Sequence, residues 1–156
     1  MTWASTCPAA ITGLLAALGR SAALSGVKVA DGRGITDPDA DEVISVGFTG
    51  ADGEAAADAA LAAEGAGGDP SREQYAIRCA IGVTSGDEGD DGIAAARTRA
   101  FALLGAVGAA IVADRKLGGA VMSARVSSWS LGQAQVSGGV SVALRFEVSV
   151  DAYVQR

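Results

Sequence analysis

Histidine, the side chain most often recruited as a general base or metal ligand, does not occur in this chain. Serines are plentiful, yet none sits in a G-x-S-x-G elbow, the turn that lifts a nucleophilic hydroxyl above a sheet. The acidic run Asp37-Pro38-Asp39-Ala40-Asp41-Glu42 opens like a calcium loop. It has Glu42 where the sharp turn needs glycine, and Phe48 where a bidentate glutamate should close the site, so it reads as a solvated turn. Asp87-Glu88-Gly89-Asp90-Asp91-Gly92 reads as the acidic start of a helix, with Asp90 or Asp91 as the cap. Cys7 and Cys79 match no metal or redox spacing, and Cys79 falls on the apolar side of a strand pattern, where a small buried thiol belongs. Gly47, Gly50, Gly53 and the cluster from Gly65 to Gly68 form neither a dinucleotide turn nor a phosphate loop. These residues predict no enzyme, no catalytic residue, no cofactor and no metal site.

The residues that remain are suited to contact. Arg125, Arg145, Glu147, Asp151 and Tyr153 occupy polar positions of two C-terminal strand patterns, and Trp129 lies among them. Solvated strand positions and an interface with a neighbouring subunit or partner are both open to the five polar side chains. Trp129 has two readings: a core residue under the sheet, which is favoured, or part of an exposed patch marking an interface.

The elements that position them follow from periodicity. Val140 to Val154 alternates apolar and polar without interruption, the mark of a strand with one buried face. At about 3.3 Å per residue it spans roughly 50 Å. A domain of this size is about 40 Å across. The strand must therefore bend or reach toward another molecule. It pairs with a strand over Val121–Gln135 through Ser137-Gly138-Gly139, a hairpin signal that sets Leu131 against Phe146 and Trp129 against Val148. The first strand changes phase between Val126 and Trp129. A bulge near Ser127-Ser128 reconciles the halves, placing Val126 opposite Val150 and Arg125 opposite Asp151.

Upstream, Pro8 starts a helix whose stripe is Ile11, Leu14, Leu15, Leu18 and Ala22, ending at Gly26. Short strands follow at Val27–Ala30 and across Ile44, Val46 and Phe48, with turn chemistry between them at Asp31-Gly32-Arg33-Gly34 and Asp37-Pro38-Asp39. Tyr75, Ile77, Cys79, Ile81 and Val83 share one face of a third strand. Ile93, Ala96, Ala100, Leu103, Leu104, Val107 and Ile111 form the stripe of a second strong helix, with Arg97 and Arg99 outside it. Residues 49–70 are the hardest to place. Their alanine-rich centre favours a helix by propensity but offers only Leu61 as an anchor, leaving a flexible arm, loop or strand open.

The length predicts one domain over 1–156, of α+β class: a mostly antiparallel sheet with a long C-terminal hairpin, packed by two main helices on one face. The net charge of −6 argues against a nucleic-acid partner. No stretch approaches the roughly 18 consecutive apolar residues of a membrane helix, and no basic n-region precedes the first helix. A protein made in a reducing cytoplasm is expected.

The order of these parts carries a resemblance. A strand ends in Val83-Thr84-Ser85-Gly86-Asp87, the helix Ala94-Ala95-Ala96-Arg97-Thr98-Arg99-Ala100-Phe101-Ala102-Leu103-Leu104 follows, and then Leu117-Gly118-Gly119. The tail runs Ala124-Arg125-Val126-Ser127, Ser130-Leu131-Gly132-Gln133-Ala134-Gln135 and the long last strand. This order resembles the tail terminator proteins of long-tailed phages (siphoviruses), in the form found in phages of GC-rich actinobacterial hosts. The likeness covers most of the chain and is strongest from Ala76 onward. It implies a virion protein of the tail and neck, made in the host cytoplasm. A ring of about six such subunits, a homo-oligomer, caps the tail tube, stops its polymerisation and presents a surface to the head-tail connector or head-closure protein. It also implies that part of residues 49–70 is an extended arm pairing with the strand at Tyr75–Val83. Another neck component, head-closure or connector-completion, is the nearest alternative, and a small-molecule-binding or enzymatic α+β domain the more distant one.

Overall fold

The computed structural model describes residues 2–33, 41–87, 89–136 and 138–156. Gly34 and the stretch 37–40 of the first acidic run, Glu88 of the second, and Ser137 of the hairpin signal lie outside the described residues.

Alternation builds the sheet. β4 (Arg72–Ser85) and β6 (Gly139–Tyr153) are its spine, antiparallel from Arg72↔Tyr153 to Ser85↔Val140. Every apolar position foreseen in the last strand is buried, from Val140 to Val154. β5 (Ser123–Val136) flanks β6 on its far side. The near edge of β4 is shared. β2 (Glu42–Val46) pairs with Cys79–Val83, and β3 (Ala57–Ala62) pairs with Arg72–Ile77. β1 (Lys28–Asp31) lies parallel to β2, the one parallel pairing in the order β1-β2-β4-β6-β5. The protein is thus α+β with a mixed six-stranded sheet and a long C-terminal hairpin.

Both helices cover the same face. α2 (Asp90–Ala113) lies across β4, β5 and β6 with Ala96, Ala100, Leu103, Val107 and Ile111 buried. α1 (Cys7–Gly19) packs beside it through Ala10, Leu14, Ala17 and Leu18. Each fully buried Leu, Ile or Val contributes about 1.5–3 kcal/mol, so this layer and the apolar rows of β4 and β6 account for most of the stabilisation. By length and mean hydropathy α2 resembles a membrane span, but much of its apolarity is alanine, and Leu103, Val107 and Ile111 are buried in the core of this fold. Gly13 lets α1 approach closely, because a Cβ there would overlap the Leu117 carbonyl.

Several boundaries differ from those expected. α1 ends at Gly19 rather than Gly26, and a 3-10 turn at Ala22–Leu24 buries Leu24 separately. The cap of α2 is Gly89, with Asp90 and Asp91 inside the first turn, where they still complement the helix dipole. Gly47, at φ +79°, ends β2 before Phe48. The hairpin has its bulge where expected, between Val126 and Ser128, with the extra residue in β5. Its register is displaced by two, however. Leu131 faces Leu144 rather than Phe146, Trp129 faces Phe146 rather than Val148, and Val126 faces Val148 rather than Val150. Arg125 faces Ser149, not Asp151. The reason is Gly139, which belongs to the strand and not to the turn. It lies so close to Ser85 that a Cβ would overlap that residue's carbonyl, and the strands close at Val136↔Gly139. A displacement of two leaves every side chain on its expected face.

Nor does the last strand overhang. β4 matches β6 over its whole length and β5 covers its other edge, so the excess length is absorbed by two equally long neighbours.

Candidate assembly surface

With both helices on one side, the other face of the sheet is uncovered. Strand parity assigns its side chains: Arg72, Gln74, Ala76 and Arg78 from β4; Arg145, Glu147, Ser149, Asp151 and Tyr153 from β6; Ser123, Arg125, Ser128 and Ser130 from β5. Five of the six expected contact residues therefore share one surface. Trp129 does not.

Ion pairs order this face. Arg72 donates to Asp151 through Nε at 2.9 Å and Nη2 at 2.5 Å, a two-pronged contact that holds the Asp151 carboxyl below the usual carboxylate range. Arg78 stands between two acids, with Nη2 to Asp58 at 3.2 Å and Nε 3.6 Å from Glu147, and also donates to the Ala55 carbonyl. Arg145 lies 4.0 Å from Glu54, which in turn accepts from the Thr49 hydroxyl. Arg125 forms no ion pair among the described residues. Tyr153 lies opposite Arg72 and is 55% exposed. This face thus holds arginines and acids in balance on a chain of net charge −6. Between β3 and β5 the small side chains Ala60, Ala76, Ser123 and Ser149 leave a shallow groove of about 710 Å³, with Arg125 and Asp58 on its rims.

Trp129 is on the helix side, as the bulge requires, but it is 57% exposed rather than buried. α2 reaches it through Phe101, whose ring meets it edge-on with centroids 4.9 Å apart. An edge strand lies at the margin of what one helix can cover. Farther along, Arg97 of α2 donates to the Gln133 side chain at 2.9 Å, and Arg99 pairs with Glu42 at 2.5 Å.

One polar site was missed at the residue level. Glu73 is 1% exposed, on the core face of β4. Its Oε1 accepts from the Thr6 backbone N–H at 2.5 Å and the Thr6 hydroxyl at 2.6 Å, and its Oε2 accepts from Ser5 at 2.8 Å. The Thr6 hydroxyl also meets the Tyr75 hydroxyl at 2.9 Å. The carboxylate thus satisfies donors at the start of α1 and ties that helix to the end of β4. Its signal was present: Glu73 has the same parity as Tyr75 and Ile77, an acid in a core row.

Burial pushes the Tyr75 phenol and the Cys79 thiol each up to about 12. Burial, and then the Glu73 charge, raise the half-buried Cys7. Ser25 and Lys28 have the spacing of an S-x-x-K pair, but they span the step from the 3-10 turn into β1 instead of one turn of helix. Among the described residues no group of three or more Cys, Asp or Glu side chains is placed to hold a metal ion. No protein-family model and no curated protein sequence matches the chain.

Proposed function

We propose that this protein is a tail terminator of a long-tailed phage, a structural subunit that forms a ring on the end of the tail tube, stops its growth and receives the head connector. The observation that carries the reading is the arm. The resemblance implied that part of residues 49–70 is extended and pairs with the third strand, against the helical preference of its alanines, and Ala57–Ala62 does pair with Arg72–Ile77. The one-sided architecture supports it as well. A sheet with one face and two outer edges uncovered offers surface to neighbours, and a repeated head-to-tail contact closes into a ring. The ring, the tube protein and the connector or head-closure protein are the partners of this reading.

Light scattering of the purified protein, followed by negative-stain images, tests it. Rings of about six subunits, free or on tube ends, are expected. A protein that stays monomeric at high concentration and ignores tube protein contradicts it.

A further inference from the structure

Two of the sheet's edge strands, β5 and β3, match each other. On the open face Arg125 of β5 lies opposite Ser149, Ser149 opposite Ala76, and Ala76 opposite Asp58 of β3, so one row carries a cation at one edge and an anion at the other. On the helix face, Leu61 lies opposite Glu73 and Glu73 opposite Ala152. The same row continues to Met122, which precedes Ser123, the partner of Asp151. Leu61 is 49% exposed and Met122 41%, two large apolar side chains at opposite ends of one row. The spacing from Met122 to Arg125 equals that from Asp58 to Leu61, so one antiparallel register serves both pairs.

The backbone agrees. Arg78 N–H donates to the Ala56 carbonyl, and in an antiparallel ladder the alternation then turns Asp58 and Ala60 toward β4 and Ala57, Ala59 and Leu61 outward. Val154 N–H donates to the Ser71 carbonyl, which by the same alternation turns Ser123 and Arg125 toward β6 and Ala124 and Val126 outward. The outward groups of Ala124 and Val126 fall opposite those of Ala59 and Ala57 in the register that the side chains select, while Met122, whose N–H donates to the Asp151 carbonyl within the subunit, meets Leu61 through its side chain.

We propose that β5 of one subunit adds to β3 of the next. Met122–Val126 runs antiparallel to Ala57–Leu61, with Arg125 opposite Asp58 and Met122 opposite Leu61. Arg78 engages Oδ2 of Asp58, and Oδ1 accepts no hydrogen bond among the described residues. Pairing stops at Val126, since β1 fills the next slot beside β2, and there the Ser127 bulge bends the rest of β5 away. The contact joins two different edges, so it propagates from copy to copy, whereas β5 paired with itself ends at a dimer. It rests on the ring reading for its closure.

Paired cysteines test it, in a Cys7→Ser background and with Cys79 buried. Ser123 and Ala60 would form a non-hydrogen-bonded pair with Cα atoms about 4.5 Å apart, within disulfide reach. Mild oxidation of the Ser123→Cys, Ala60→Cys double variant should give a reducible ladder of covalent oligomers ending at the closed ring, and neither single variant should give one. Covalent dimers from Ser123→Cys alone, or no ladder from a double variant that still assembles by light scattering, overturn the contact and leave the ring reading standing. A ladder from a protein that neither closes into rings nor binds tube ends supports the contact and overturns that reading. A protein that stays monomeric with tube protein present and gives no ladder overturns both.

Discussion

Glu73 shows what a single residue does in this fold. Its carboxylate accepts three hydrogen bonds at the start of α1 and is closed to solvent, so removing it leaves buried donors without partners. Glu73→Ala should cost about 3 kcal/mol in urea unfolding, and Glu73→Gln less, since an amide keeps one accepting oxygen. Tyr75 and Cys79 set a pH dependence. Both have folded pKa values raised to about 12, from ordinary values of 10.0 and 9.0. A raised value means the folded state holds its proton longer than the unfolded state. Their stabilisation is therefore complete below about pH 9 and is lost as pH rises toward 12. Denaturation midpoints at pH 8 and pH 10.5 should show the decline, and Cys79 should resist thiol reagents at pH 8 until the protein unfolds.

At the scale of elements, the two long strands and their bulge were legible because period two is a strict code. A shift of phase between Val126 and Trp129 admits only an odd number of extra residues. The register was not legible, because two consecutive glycines leave open which of them turns and which pairs. Gly139 pairs because the Ser85 backbone lies against it, a contact no local pattern encodes. Gly139→Ala should therefore cost about 1–3 kcal/mol, measured by thermal or urea unfolding. β3 was hidden for another reason. Its alanines favour helix, and the strand forms because the long edge of β4 supplies a template below β2. The end of β6 is core rather than overhang. Ala152 and Val154 are buried, Asp151 pairs with Arg72, and Gln155 bridges to Ala4. Deleting residues 151–156 should lower the melting temperature measured by circular dichroism, not merely abolish assembly. Parity put Arg125, Arg145, Glu147, Asp151 and Tyr153 on one polar face, and the pairing of β5 and β6 has them there. Trp129 is on the helix side as the bulge requires, but the favoured burial fails because it depends on the reach of α2, which strand alternation does not report.

At the scale of the whole molecule, one face of the sheet is covered and the other is polar and open, with edges that differ from each other. On the proposed reading such a subunit repeats into a ring. Arg125→Glu would set two acids against each other at the proposed contact, so it should weaken assembly at low salt while leaving the fold intact, since Arg125 supports no internal ion pair among the described residues. Added salt should narrow the difference between the variant and the parent protein.

A subunit that caps the tube end would set tube length. On the proposed reading, tube protein of the same phage, polymerised with increasing amounts of this protein, should yield progressively shorter tubes in electron micrographs, each bearing a ring at one end. Tubes of unchanged length with bare ends, at any ratio of the two proteins, would contradict the terminator role.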